Sequence, residues 1–96
     1  GPFIEIYSGF TAYTSIKKAK RQFDRFPITG GGISVKSFDL GDEAIAYQIG
    51  NSLAKAVFRR ENVIGIVKYT NERDDQPASI SKAIDLAKLM YKDWPQ

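Results

Sequence analysis

The fold is decided by residues 33–69, ISVKSFDLGDEAIAYQIGNSLAKAVFRRENVIGIVKY, which predict four strands joined by short hairpins. Alternating apolar and polar residues, rich in β-branched and aromatic types, place the strands at 33–40, 43–49, 52–60 and 63–69. Turn residues separate them: Gly41-Asp42, then Gly50-Asn51, where glycine supplies a positive φ, then Glu61-Asn62. This stretch is therefore predicted to form a meander of antiparallel strands.

One strand and one helix precede the meander, and a second helix follows it. Residues 3–8 alternate as a strand does, and Thr14 or Ser15 can cap a helix that runs to about residue 26. Three glycines at 30–32 link this helix to the meander, and Pro77 and Ser79 begin a last helix that reaches about residue 94. The apolar stripes predicted for the two helices are Ile16, Ala19, Phe23 and Phe26, and Ile80, Ala83, Ile84, Ala87, Met90, Tyr91 and Trp94.

Hairpin loops of two residues predict which side chains share a face of the sheet. With such loops Tyr47 lies opposite Ala54, and Ile45 lies opposite Ala56. Phe58 then lies opposite Gly65. These residues are apolar or small, so we expect both helices to pack on this face. The predicted core is Ile45, Tyr47, Ala56, Phe58, Val67, Ile84 and Ala87.

The opposite face is predicted to be open and only half polar. It receives Lys55 and Lys68 directly opposite each other, which is unfavourable unless Glu5 or an anion lies between them. Exposed apolar patches flanked by charges are typical of binding surfaces, although apolar β-forming residues are also tolerated on a sheet surface. The residues predicted to contact a partner are Phe3, Glu5, Tyr7, Lys55, Val57, Arg59, Ile64, Ile66 and Lys68; the small residues Ala44 and Ala46 and the polar Gln48 share this face.

These elements predict a single α+β domain over residues 3–96. The element order is β-α-β-β-β-β-α, with a five-stranded antiparallel sheet of strand order 2-3-4-5-1 and two helices packed on one face. The 96 residues of the chain are enough for one modest core. Gly1-Pro2 is typical of a cleaved expression tag and is left out of the domain, which we expect to have been cut from a longer protein.

The composition excludes several kinds of catalytic site. The chain has no cysteine and no histidine, so thiolate catalysis, serine–histidine catalysis and cysteine- or histidine-bound zinc are excluded. The glycines at 30–32 follow a helix and precede a strand, the reverse of a phosphate-binding loop. Asp39, Asp42 and Glu43 cluster near one turn, either as carboxylates for acid–base chemistry or as acceptors for backbone amides. We predict no enzyme activity, no cofactor and no metal site.

The charge pattern argues against a nucleic-acid partner. The net charge is +3, and much of the excess lies in Lys17, Lys18, Lys20, Arg21 and Arg25 of the first helix. A basic run on a helix is typical of a solvated face. A small net charge also displaces few counterions from a nucleic acid, so we expect weak binding or none at physiological salt.

The order and length of these elements resemble one repeat of the TATA-box-binding-protein fold. The similarity is carried by Ala54-Lys55-Ala56-Val57-Phe58, by Val63-Ile64-Gly65 after the turn, and by the alanine-spaced last helix. It implies a TBP-like fold and, as an alternative function, a nucleic-acid-binding domain. That domain would use the sheet residues Lys55, Arg59, Lys68, Phe3 and Tyr7.

The chain also resembles extracytoplasmic domains of bacterial and archaeal lipoproteins. The matching strings are Gly41-Asp42-Glu43-Ala44, Arg59-Arg60-Glu61-Asn62-Val63 and Leu86-Ala87-Lys88. This resemblance implies an exported binding or sensing module, attached to a membrane only through an anchor outside the chain.

The function predicted first is a non-catalytic binding, assembly or sensing module. It is expected to contact a second copy or a neighbouring domain through the open sheet face and strand 1. Strand 1 is an edge strand in the predicted order, and Glu5 is its only charge, whereas edges are commonly protected by lysine, proline or a bulge.

Overall fold

Five strands and two helices follow one another in the predicted order. The computed structural model describes residues 4–26, 33–50, 53–71 and 79–92. The elements are β1 (Ile4–Ala12), α1 (Ile16–Phe23), β2 (Ile33–Ser37), β3 (Glu43–Ile49), β4 (Leu53–Arg60), β5 (Val63–Asn71) and α2 (Ile80–Lys92).

The five strands form one antiparallel sheet in the order β1-β5-β4-β3-β2. This is the predicted order written from the other edge, so the α+β class and the sheet topology are confirmed. β1 and β2 lie at opposite edges of the sheet. Helix α1, which lies between them in the sequence, packs across one face of the sheet.

The hairpin between β4 and β5 has the predicted register. Arg60 lies opposite Val63 and Phe58 opposite Gly65, so Glu61-Asn62 is a two-residue loop. Glu61 adopts a backbone φ of 55°, which residues other than glycine rarely do outside such turns. Its backbone amide donates a 2.7 Å hydrogen bond to Oδ2 of Asp42, which helps to hold the turn in that conformation.

The predicted register between β3 and β4 is wrong by one residue. Ile49 lies opposite Leu53, so three residues connect these strands, and Tyr47 lies opposite Lys55 instead of Ala54. A shift of one residue moves every side chain of β3 to the other face of the sheet. Ala44 and Ala46 therefore share a face with Phe58, while Ile45 and Tyr47 lie on the face of Lys55.

Helix α2 covers one face of the sheet, called here the α2 face. Ala83, Ile84 and Ala87 of the helix pack against alanines of β3 and β4, which allow the helix to approach closely. Phe58 is fully buried in this layer, between Phe10 and Tyr91 at ring-centroid distances of 6.3 and 5.7 Å. The buried members of the cluster are Ala44, Ala46, Ala54, Ala56, Phe58, Val67, Tyr69, Ala83, Ile84 and Ala87.

Helix α1 packs on the other face, called here the α1 face, so the prediction that both helices share one face is wrong. Ala19 and Phe23 of α1 form a second core cluster with Tyr47, Val57 and Ile64. Ile45 and Ile66 pack partly against this cluster. The sheet thus lies between two helices, and the half-apolar face predicted to be open is covered in part by the chain's own first helix.

The element boundaries differ from the predicted ones in four places, and one of them is the end of β5, which continues past residue 69 to Asn71. β1 continues to Ala12, because Gly9 pairs with Ile66 in the sheet and does not begin a loop. α1 begins after Ser15, whose hydroxyl accepts a hydrogen bond from the amide of Lys18, and ends at Phe23. β2 ends at Ser37, and Phe38 and Leu40 pack against the core cluster of the α2 face instead of extending the strand. Pro27, the glycines at 30–32, Pro77 and Trp94 lie outside the described residues.

Most of the predicted core residues are buried. Ala56, Phe58, Val67, Ile84 and Ala87 lie in the α2 cluster as expected. Tyr47 is also buried, but in the α1 cluster, and Ile45 is half-buried beside it. In the predicted helix stripes, Ile16 is largely exposed, because α1 buries only Ala19 and Phe23.

Candidate functional site

An open groove lies on the α1 face, in the part of the sheet that α1 does not cover. It has a volume of about 300 Å³ and is lined by Glu5, Tyr7, Lys55, Ile66 and Lys68. All five belong to the set predicted from sequence to contact a partner. They come from three adjacent strands, β1, β5 and β4.

The strand register arranges the groove as a row of side chains across the sheet. Tyr7 lies opposite Lys68, Lys68 opposite Lys55, and Lys55 opposite Tyr47. Two lysines are therefore flanked by two tyrosines on one face. The two-residue loop predicted between β3 and β4 placed Tyr47 on the opposite face, whereas the observed connection of three residues brings it beside the groove.

Gly9 makes space for the ring of Tyr7. A Cβ at Gly9 would lie 3.2 Å from the Tyr7 hydroxyl, so the ring extends along β1 over the glycine. Tyr7 remains 58% exposed. Its ring thus forms a side wall of the groove, and Ile66 in the neighbouring strand forms an apolar part of its floor.

The electrostatics of the groove are dominated by the two lysines. The pKa of Lys55 is lowered from its ordinary value of 10.5, first by burial and then by the positive charge of Lys68. Both causes disfavour the charged form of Lys55. Beside it, burial raises the pKa of the Tyr47 hydroxyl. The folded protein therefore keeps two like charges together at a cost in stability.

Removing one of these charges is expected to stabilise the fold. Lys55→Gln should raise the free energy of unfolding at neutral pH by about 0.5 kcal/mol, the usual size of a cross-strand charge effect. For a chain of this length that corresponds to about 3 °C in Tm, measured by circular dichroism. Lys36→Gln in β2, a change at an exposed lysine, is the matched control and should leave Tm nearly unchanged.

The gain in unfolding free energy from Lys55→Gln should disappear at high pH. Because the folded pKa of Lys55 lies below that of the unfolded chain, the unfolded state binds more protons between the two values. The stability of the wild type therefore rises with pH in that interval, and the advantage of Lys55→Gln shrinks as pH approaches 10.5. Tyr47 titrates in both proteins, so its effect cancels in the difference. A difference that grows with pH would contradict this assignment.

Three of the other predicted partner residues, Val57, Ile64 and Arg59, are not available at the surface. Val57 and Ile64 are buried beneath α1, so the expectation that they lie on an open face is wrong. Phe3 lies outside the described residues. Val57 and Ile64 are covered because α1 packs on this face, whereas both helices were expected on the opposite face.

Arg59, also predicted to contact a partner, is only 4% exposed and binds groups of its own chain. Its Nε donates to Oε2 of Glu43 at 2.6 Å, and its Nη1 contacts Oδ2 of Asp42 at 3.3 Å. The same Nη1 donates a 2.9 Å hydrogen bond to the carbonyl oxygen of Glu61. Arg59 thus joins the start of β3 to the β4–β5 turn and has a structural role.

This arrangement also explains two of the three clustered carboxylates. Asp42 and Glu43 are bound by Arg59, and Asp42 additionally accepts from the backbone amide of Glu61. Among residues 4–26, 33–50, 53–71 and 79–92, no group of acidic side chains is arranged to hold a metal ion. No helix in the described part of the chain is long and apolar enough to cross a membrane.

Comparison with known proteins gives no assignment: no protein-family model, no curated protein and no solved structure matches the chain. The geometry of the groove and of the sheet edges is therefore the basis for a functional proposal.

Proposed function

We propose that this chain is a non-catalytic binding and assembly module that pairs with a second copy of itself through the outer edge of β1. The observation that carries the proposal is the apolar surface of this edge strand. Ile6, Tyr7 and Phe10 are exposed by 55%, 58% and 42%, although all three lie within one regular strand. Exposed apolar side chains on a sheet edge favour pairing with another strand.

The two edges of the sheet differ in the features that prevent such pairing. β2 is five residues long and carries Lys36 near its middle. β1 is nine residues long, and its only charged residue is Glu5, next to its first residue. Within the described residues, no other strand pairs with the outer side of β1. Short length and lysine protect natural edges, so β1 is the edge that favours association.

The sequence of β1 is suited to antiparallel pairing with itself. If Ser8 of one copy lies opposite Ser8 of the other, Ile6 lies opposite Phe10, and both point to the α2 face. Tyr7 then lies opposite Gly9, so each Tyr7 ring, which extends over Gly9 of its own strand, lies beside the Tyr7 ring of the other copy. Glu5 lies opposite Thr11, so the two Glu5 carboxylates are far apart. Aromatic and β-branched cross-strand pairs of this kind stabilise a sheet.

The buried apolar residues of the α1 face do not contribute to this interface. Val57 and Ile64, which gave the sequence-based reason for a partner on that face, contact α1 instead. The proposed contact therefore uses the strand edge, and the groove beside it remains accessible in the pair.

The alternative of a TBP-like nucleic-acid-binding domain has less support. Arg59, one of the cations it would use, is bound by Asp42 and Glu43. Lys55 and Lys68 are then the cations left to it on the sheet among the residues named for that role. Two lysines provide few phosphate contacts compared with proteins that bind nucleic acid tightly.

Sedimentation equilibrium of single-residue variants tests the proposal. Ile6→Lys should weaken dimerisation by at least about tenfold, since it removes an apolar contact twice in a twofold dimer and adds a charge to the edge. Val35→Lys on β2 is the matched control, because Val35 has a similar exposure of 49% on the opposite edge. It should associate as the wild type does.

Hydrogen exchange locates the interface. Alternate backbone amides of β1 should gain protection as protein concentration rises, with no comparable change in β2. A wild-type chain that remains monomeric at millimolar concentration would contradict the proposal. Equal weakening by Ile6→Lys and Val35→Lys would also contradict it, because the association would then not depend on β1.

A further inference from the structure

The groove holds two cations that no carboxylate of the described residues neutralises. Lys55 and Lys68 occupy directly opposed positions on adjacent strands. The ion pairs recorded among residues 4–26, 33–50, 53–71 and 79–92 all involve Arg59 as the cation. Glu5 lines the groove as well, but it lies opposite Thr70, in the next row of side chains on that face.

Of the remaining lining residues, Ile66 is apolar, Tyr7 is aromatic, and Glu5 is acidic. Ile66 lies beside the lysines on β5, and the ring of Tyr7 lies over Gly9 on β1. A ligand that satisfies this lining needs a negative group at one end and an apolar body at the other. Binding sites commonly combine a mostly apolar wall with a few charged groups that orient the ligand.

We infer that the groove binds a small organic anion, a phosphate or carboxylate on a flat apolar body. The anionic group lies between the ammonium groups of Lys55 and Lys68, and the body lies against Ile66 and the ring of Tyr7. The site does not depend on the pairing of β1, because its two cations belong to β4 and β5 and are present in the monomer.

The lining of the groove favours both the anionic group and the apolar body of such a ligand. An anion between two lysines forms charge-assisted hydrogen bonds and also removes their mutual repulsion. A volume of about 300 Å³ is at the small end of ligand sites, so the ligand is a small molecule. An apolar body is needed as well, since an inorganic anion would leave Ile66 and Tyr7 in contact with water.

Phenyl phosphate is a suitable probe, since it combines a dianion with one aromatic ring. Titration of the 15N-labelled chain, followed by amide and side-chain NMR shifts, should show saturable changes at Tyr7, Lys55, Ile66 and Lys68. Inorganic phosphate should bind more weakly because it has no apolar body. Benzyl alcohol, which has the ring without the charge, should also bind more weakly. High salt should weaken the binding of phenyl phosphate.

Single variants separate binding from stability and from self-association. Lys55→Gln and Lys68→Gln should each weaken the binding of phenyl phosphate by about tenfold, the effect expected for one hydrogen bond to a charged group. Lys36→Gln should bind as the wild type does. Because Lys55→Gln is expected to be more stable than the wild type, its loss of binding cannot be attributed to unfolding. Ile6→Lys, which disrupts pairing of β1, should still bind the probe.

Three results would overturn the inference. One is the absence of saturable shifts at the groove residues up to the solubility limit of phenyl phosphate. Another is wild-type affinity in both Lys55→Gln and Lys68→Gln, which would show that the lysines do not hold the anion. The third is equal binding of benzyl alcohol and phenyl phosphate, which would show that the anionic group does not contribute.

Discussion

Gly65→Ala is expected to destabilise the protein by about 3 kcal/mol, because overpacking a tight core costs 1–3 kcal/mol and this site has little freedom to relax. A Cβ at Gly65 would lie only 2.7 and 2.8 Å from Cε2 and Cε1 of Phe58, well inside contact distance. Phe58 is fully buried and packs edge-on against Phe10 and Tyr91, so its ring cannot move aside without displacing both neighbours.

Urea unfolding of the purified variant measures this effect. Gly9→Ala is the matched control, because Gly9 is also a strand glycine but its nearest neighbour is the exposed ring of Tyr7, which can move. The control should change the free energy of unfolding by less than about 1 kcal/mol. Phe58→Leu should cost less in the Gly65→Ala background than in the wild type, because the smaller side chain relieves the clash. A loss below that of Gly9→Ala would contradict the proposed contact.

Arg59→Met is expected to cost about 2 kcal/mol. Breaking a buried ion pair by removing one partner commonly costs 3–5 kcal/mol, since the other charge is left unpaired. The effect is smaller here because Glu43 and Asp42 are exposed by 33% and 48% at their side chains, so water compensates part of the loss. Arg59→Lys should recover little of it, because one ammonium group cannot reproduce the separate Nε and Nη1 contacts.

Arg60→Met is the control for this prediction. Arg60 is the next residue of β4, but its guanidinium lies over the ring of Tyr91 at 6.0 Å, a contact expected to contribute at most about 1 kcal/mol. A double-mutant cycle that combines Arg59→Met with Glu43→Gln should give a coupling energy of about 1 kcal/mol between the two side chains. If Arg59→Met proves no more destabilising than Arg60→Met, Arg59 does not stabilise the fold through the Asp42 and Glu43 carboxylates.

Local sequence was sufficient to predict the strands, the order of the four meander strands and the register of one hairpin. The β4–β5 register follows from a two-residue turn, and it places Lys55 opposite Lys68 as predicted. Glu5, Tyr7 and Ile66 were assigned to the same face, since alternation along each strand determines the side on which a residue points. Five residues of the groove could therefore be identified without tertiary information.

The position of α1 and the register of β3 could not be derived in this way. β3 has small apolar residues on one face, Ala44 and Ala46, and larger ones on the other, Ile45 and Tyr47. Either face of β3 can therefore be buried. The local sequence does not distinguish the two registers of β3 against β4, because apolar residues are buried in both. The continuous apolar runs of β4 and β5, such as Ala56-Val57-Phe58, are typical of strands covered on both sides.

By itself, the sequence determined the strands, the order of the four meander strands and the side-chain alternation within each strand, because these depend on neighbouring residues and turns. The place of β1 beside β5 is a contact between distant segments. The tertiary structure alone decided which helix covers which face, and with it the burial of Val57 and Ile64 and the extent of the groove. It also enclosed Arg59 between Glu43 and Asp42. These features depend on contacts between segments distant in the chain, where a sheet with two apolar faces accepts a helix on either side.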